Sequence, residues 1–118
     1  MPTRSTPDPF AMKIGARLRA LRQEQKLSLA DLARSSGLSK GHASNLENGL
    51  VLMNLGTAIA LARGLSLPLF VLFLLPEEDA FSAEVESLRI RAKGDLVHAA
   101  TILRKAAFES PRKKPKSP

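Results

Sequence analysis

The sequence predicts an all-α chain, and three observations predict it. Apolar residues recur at spacings of three and four, the period of one helix face. Serine, asparagine and glycine stand where those periodic stretches begin and end, as helix caps do. No run of alternating polar and apolar residues reaches strand length anywhere in the 118 residues.

The elements follow in order. Residues 10–26 form a first helix, with Ile14, Leu18 and Leu21 on one face and Lys13, Arg17, Arg19, Arg22 and Lys26 around it. Ser28 reads as an N-cap, and Asp31, three residues on, as a shorter relative of the capping-box glutamate. The second helix spans 29–35 with Leu29, Leu32 and Ala33 inward, and Gly37 stops it because glycine adopts a positive φ without steric cost. Ser39 caps a third helix that runs to about Glu47 and ends at Asn48-Gly49. A fourth, roughly 55–63, presents Leu55, Ile59 and Ala62 or Ala58 to the core. A fifth begins near Pro68, which suits a first helical turn. Beyond Pro76 and the acidic trio Glu77, Glu78 and Asp79, two more helices cover 82–92 and 95–108. The trio matches the positive end of the helix dipole that follows. In the last stretch Leu96, Ala100, Leu103 and Ala107 share a stripe flanked by Val97 and Ile102.

Composition excludes several function classes. A chain of 118 residues builds one modest core, so a catalytic domain with a separate substrate domain does not fit. Without cysteine there is no disulfide, thiolate zinc site or thiol nucleophile. His42 and His98 lie far apart, neither near a second ligand cluster, nucleophile or orienting acid, so no metal, no cofactor and no enzyme activity are expected. The longest apolar run, residues 69–75, is bracketed by Pro68 and Pro76 and is far short of the roughly 20 residues a membrane span needs. The N-terminal segment has no apolar core of a secretion signal, which points to a cytoplasmic protein without membrane partners.

The net charge of +7 favours a polyanionic partner. It is concentrated at the ends: residues 1–27 carry six basic and two acidic side chains, and residues 111–118 four basic and none acidic. The expected organisation is a flexible arm over 1–9, a helical domain over 10–76, a helical extension over 77–109 that serves dimerisation, and a disordered basic tail over 110–118. Such a tail adds attraction to phosphate that is independent of sequence, or serves only as a solvated end.

The second and third helices, joined at Gly37, make a helix-turn-helix: Ala33 is small where the helices cross, and Leu38 and Leu46 plug the third helix into the core. The segments Ile14-Gly15-Ala16-Arg17-Leu18-Arg19-Ala20-Leu21-Arg22, Leu27-Ser28-Leu29-Ala30-Asp31-Leu32-Ala33, Gly37-Leu38-Ser39, Ser44-Asn45-Leu46-Glu47-Asn48-Gly49 and residues 62–73 resemble the Cro/phage-repressor, or XRE, class of helix-turn-helix domains, in register and without insertion.

The resemblance implies a five-helix lambda-repressor-like DNA-binding domain, followed by one or two C-terminal helices, that sets its third helix in the major groove of double-stranded DNA. It implies Lys40, Gly41 and Asn45 at the base-reading positions. Lys40 can donate to guanine and Asn45 can pair with adenine. Ser28, Ser39 and Asn48 match phosphate-facing helix ends, and Lys13, Arg17, Arg19, His42 and Ser44 complete the expected backbone contacts. For the serines, capping and phosphate contact are compatible, and His42 is equally read as an exposed residue without a role. Arg22 and Glu47 match an ion pair that locks the first helix to the third, a structural role.

Two departures stand out. Leu29 occupies a position where the family usually carries a phosphate-binding glutamine. Leu50, Val51, Leu52 and Met53 form an apolar loop where the family is often polar or basic, and Phe70 and Val71 are apolar where it tends to be polar. Such a patch needs covering. The covering expected here is a homodimer to which Leu96 and Leu103 also contribute, since a two-fold operator reader holds its recognition helices about 34 Å apart. A cap from the chain's own C-terminal helices is the other possibility.

The function expected is that of a bacterial or phage transcriptional regulator, a repressor associated with the nucleoid. The alternative is a protein-interaction module of repressor-like fold that binds a partner protein and contacts DNA weakly or not at all.

Overall fold

The computed structural model describes residues 6–92 and 95–109. Among them lie seven helices and no strand: α1 (Pro9–Glu24), α2 (Leu29–Ser36), α3 (Lys40–Glu47), α4 (Leu55–Gly64), α5 (Leu69–Leu72), α6 (Ala80–Arg91) and α7 (Leu96–Glu109). The chain divides into two compact units, one up to Leu75 and one from Pro76. The expected arm is described only from Thr6 onward, and the expected basic tail lies outside the described residues.

Local side-chain chemistry sets the helix starts in the first unit. Asp8 caps α1, its carboxylate accepting from the backbone N–H of Phe10 (2.9 Å) and Ala11 (3.0 Å). Ser28 and Asp31 form a reciprocal capping box at α2: the Ser28 hydroxyl accepts from Asp31 N, and Asp31 Oδ2 accepts from Ser28 N, both at 3.0 Å. Gly37 ends α2 at φ 70, and the N–H of Leu38 returns to the Ala33 carbonyl at 2.8 Å. Ser39 caps α3 through His42 N (3.0 Å), and Asn54 caps α4 through Thr57 N (2.8 Å). Pro68 stands before α5 in an extended conformation, as its cap rather than in its first turn.

The core of this unit is apolar and interlocked. Ile14, Leu18 and Leu21 of α1, Leu32 and Ala33 of α2, Ala43 and Leu46 of α3, and Ala58, Leu61 and Ala62 of α4 are all buried. Burial of each large side chain of this kind contributes about 1.5–3 kcal/mol. α2 packs against α3 and α4, and α1 against α3 and α5. Gly64 permits the α2–α4 approach: a Cβ there would run into the hydroxyls of Ser36 and Ser35. One expectation is corrected. Leu55 is 64% exposed rather than inward, because the buried stripe of α4 starts one turn later, at Ala58.

In the second unit Asp79 caps α6, accepting from Ser82 N (2.7 Å) and from the Ser82 hydroxyl (3.0 Å), so one member of the acidic trio binds the helix end directly. Asp95 caps α7 through His98 N (2.9 Å). Leu88 and Arg89 are buried, and Arg89 pairs with Glu86 at 2.6 Å. Of the predicted α7 stripe, Ala100 is exposed, and the side chains of Leu96, Leu103 and Ala107 lie outside what is described. No helix among the described residues is long and apolar enough to cross a membrane.

Candidate nucleic-acid interface

The site is built on α3. Ala43 (0% exposed) and Leu46 (1%) anchor its inner face, which leaves Lys40 and Gly41 exposed and His42, Ser44 and Asn45 half-buried on the other side. Asn48, just past the helix, is exposed. The outward set is short and polar, suited to lying against base edges. No Cβ contact restricts Gly41, which would meet nothing within 4 Å if it were alanine.

Besides its packing on α2, α3 is held by one stripe along α1. Asp8, Met12, Gly15, Arg19 and Arg22 recur at alternating spacings of four and three, so they lie on one side of the helix, and each meets the segment from Leu46 to Gly49. The N–H of Asp8 donates to the Gly49 carbonyl at 3.2 Å. Gly49, at φ 75, lies so close to Met12 that a Cβ would fall 2.8 Å from its Cα. Gly15 faces the carbonyls of Leu46 and Glu47, with room for hydrogen only. Arg22 clasps Glu47 in bidentate fashion, Nε to Oε2 at 2.7 Å and Nη2 to Oε1 at 3.1 Å, while its Nη1 donates to the Leu27 carbonyl at 2.9 Å. Arg19 adds Nε to Glu47 Oε1 at 3.2 Å and Nη2 to Asn48 Oδ1 at 2.7 Å.

The Glu47 side chain is only 2% exposed, so the two arginines supply the compensation a buried carboxylate requires. The hydrogen bonds to Glu47 raise the Arg22 pKa above its ordinary value, with burial working in the opposite direction. At α2, the backbone and hydroxyl of Ser28, with Arg34 nearby, lower the Asp31 carboxyl below the usual range.

The other candidate residues fall in different surroundings. Ser28 and Ser39 are exposed helix caps whose oxygens are engaged by backbone N–H groups, and Lys13 is exposed on α1. Arg17 requires correction: it is 8% exposed, and its Nε donates to the Val71 carbonyl at 3.0 Å, so it ties α1 to α5 instead of facing DNA. The signal was in the spacing, since Arg17 lies three residues after Ile14 and one before Leu18, on the core stripe itself.

The apolar patch separates into two kinds of residue. Val51 (3%) and Val71 (0%) are already covered inside the first unit, which corrects the expectation that they need another surface. Leu50 and Met53 are half-buried, and Leu52 (49%) and Phe70 (53%) stay exposed. Phe73 and Leu55 are exposed as well. Leu96 and Leu103, also expected at an interface, have side chains outside the described set.

Comparison with known proteins adds the family context. A family model described as a helix-turn-helix domain matches residues 13–69. The chain is 41% identical over 54 residues to the uncharacterized HTH-type transcriptional regulator y4dL of Sinorhizobium fredii, a match covering 46% of this chain and 28% of that protein. It therefore spans little more than a quarter of that relative's length. The crystal structure of the restriction-modification controller protein C.AhdI from Aeromonas hydrophila is similar with a TM-score of 0.55 and 33% identity, over 56% of this chain and 100% of that one.

Proposed function

Because the chain belongs to the XRE-like family of helix-turn-helix proteins, a family of DNA-binding regulators and not of enzymes, we propose that it is a sequence-specific transcriptional regulator acting as a repressor. In this reading α3 enters the major groove. Lys40 and Asn45 read base edges, Gly41 gives the backbone close access, and Ser28, Ser39, His42, Ser44 and Asn48 approach phosphates with Lys13. The observation that carries it is the construction of α3: a polar outer face on a helix whose far end is fastened to α1 by Gly15, Arg19 and Arg22. A reader must hold its contacting side chains in fixed geometry, and this arrangement does so.

The protein acts as a homodimer on a roughly palindromic operator, with Leu52 and Phe70 central to the contact. Their exposure of about half of each side chain leaves apolar surface that a second copy would cover. Binding to a labelled duplex, titrated across a salt series with competitor DNA, tests the reading. Affinity that falls steeply with salt while one sequence stays preferred supports it. Uniform weak binding to every duplex would favour a module whose partner is another protein.

A further inference from the structure

Arg19 does something other than what its exposed position and charge suggest. Its guanidinium is spent inside the chain, Nε on Glu47 at 3.2 Å and Nη2 on Asn48 Oδ1 at 2.7 Å, although 44% of the side chain faces solvent. A guanidinium has donors and no acceptor, so the Asn48 atom that meets it has to be the amide oxygen. The amide nitrogen then points away from Arg19. There it donates to the Ser44 hydroxyl over 3.4 Å, a long and easily exchanged bond. Ser44 accepts that hydrogen bond and has its own hydrogen to give outward. From Arg19 the bonds run in one direction through Asn48 to Ser44, while Arg19 also donates inward to Glu47, and donors of Asn48 and Ser44 are left for the outer side.

We propose that Arg19 is a positioning residue that sets the polarity of Asn48 and Ser44, so that the Asn48 NH2 and the Ser44 hydroxyl are turned as donors toward a non-bridging phosphate oxygen of the DNA backbone. This rests on the reading of α3 as a DNA-contacting helix. A phosphate is an acceptor only, and an asparagine free to flip would present its oxygen to it part of the time. Fixing the amide removes that repulsive orientation, and the Arg19 guanidinium is engaged on Glu47, which it shares with Arg22.

Two measurements test it. In the free protein, the Asn48 side-chain NH2 resonances should be resolved from other amides and show contacts to Ser44. In Arg19→Met they should move to the position of a solvated amide while Arg22 continues to hold Glu47 and the thermal midpoint stays near that of the parent. On duplex DNA, Asn48→Ala should weaken binding roughly tenfold, the loss expected for one hydrogen bond to a charged acceptor, equally on preferred and unrelated sequences. Arg19→Met should weaken it only about twofold, the cost of a donor orientation populated about half the time, and should add nothing further in the Asn48→Ala background.

The slope of log affinity against log salt should be unchanged in Arg19→Met. A direct Arg19–phosphate contact would instead lower it by about 0.9. Additive losses with a reduced slope, or unaltered Asn48 resonances in Arg19→Met, would overturn the proposal. A wild-type protein that binds no duplex would overturn the DNA reading and with it the phosphate target, while the resonances alone would still decide whether Arg19 orients Asn48.

Discussion

At the scale of single residues the Glu47 carboxylate decides most. It is almost fully withdrawn from solvent and held by two guanidinium groups, one of them bidentate. Arg22→Ala should therefore destabilise the domain by about 3 kcal/mol, the lower end of the cost of orphaning a buried charge, because Arg19 remains. Thermal unfolding should register this as a midpoint lowered by roughly 10 °C or more. A variant with unchanged melting and specific loss of DNA binding would mean that Arg22 acts at the interface instead.

Asp31 gives a second test at this scale. Its folded pKa is lowered by the Ser28 backbone and hydroxyl bonds. A carboxyl depressed in the folded state contributes stability that is fully present above its ordinary value of about 3.9 and is lost as pH falls through the lower, folded value. Acid unfolding followed by circular dichroism should show the parent losing stability below about pH 4 more steeply than Asp31→Asn. Equal slopes would remove the capping box from the account.

Among helices, α1 is the element whose role exceeds its appearance. One of its faces, with Ile14, Leu18 and Leu21, enters the core, and the stripe from Asp8 to Arg22 aligns α3. Gly15 and Gly41 form a matched pair for testing this. A methyl group at Gly15 meets backbone carbonyls of α3 that cannot move aside, whereas at Gly41 it meets open space. Gly15→Ala should destabilise by 2 kcal/mol or more, an overpacking cost of about that size. Gly41→Ala should stabilise by about 0.5–1 kcal/mol through helix propensity, while lowering affinity for DNA that approaches the α3 backbone. Denaturant titration and duplex binding on the same two variants separate the effects.

The starts of α2 and α3 and the end of α2 were legible because caps are local: Ser28, Asp31, Ser39 and Gly37 act within three or four residues of themselves. The inward face of α4 was not, since the choice between Leu55 and Ala58 depends on how α2 packs against it. Arg17 has the residue type of a surface cation but the position of a core residue, and its place on the stripe decides its burial. The alignment of Gly15, Arg19 and Arg22 was visible as a spacing, but only the fold shows that the end of α3 lies opposite.

Taken as a whole, the molecule carries its charge unevenly along the chain. The excess positive charge lies in residues 1–27 and 111–118, while residues 28–50, with the proposed reading helix, carry two basic and two acidic side chains. In the proposed reading, charge at the ends contributes attraction to any duplex, less the share of Arg17, Arg19 and Arg22 that is engaged inside the chain, and the nearly neutral α3 face chooses among duplexes. Phe70, Leu52, Phe73 and Leu55 are exposed apolar side chains, of which Leu52 and Phe70 are proposed to meet a second copy. Sedimentation at tens of micromolar should find a dimer for the parent chain and a monomer, still folded, for Phe70→Asp. A parent that is strictly monomeric would refute the dimer.

The central claim is that the outer face of α3 reads sequence. Selection of bound duplexes from a random pool, carried out in parallel with the parent chain, Lys40→Ala and Asn45→Ala, tests it most directly. The parent should enrich one short, roughly palindromic site, and each variant should relax or change the preference at its own position while still retaining general affinity for DNA. Identical enriched sites from all three proteins would contradict the claim.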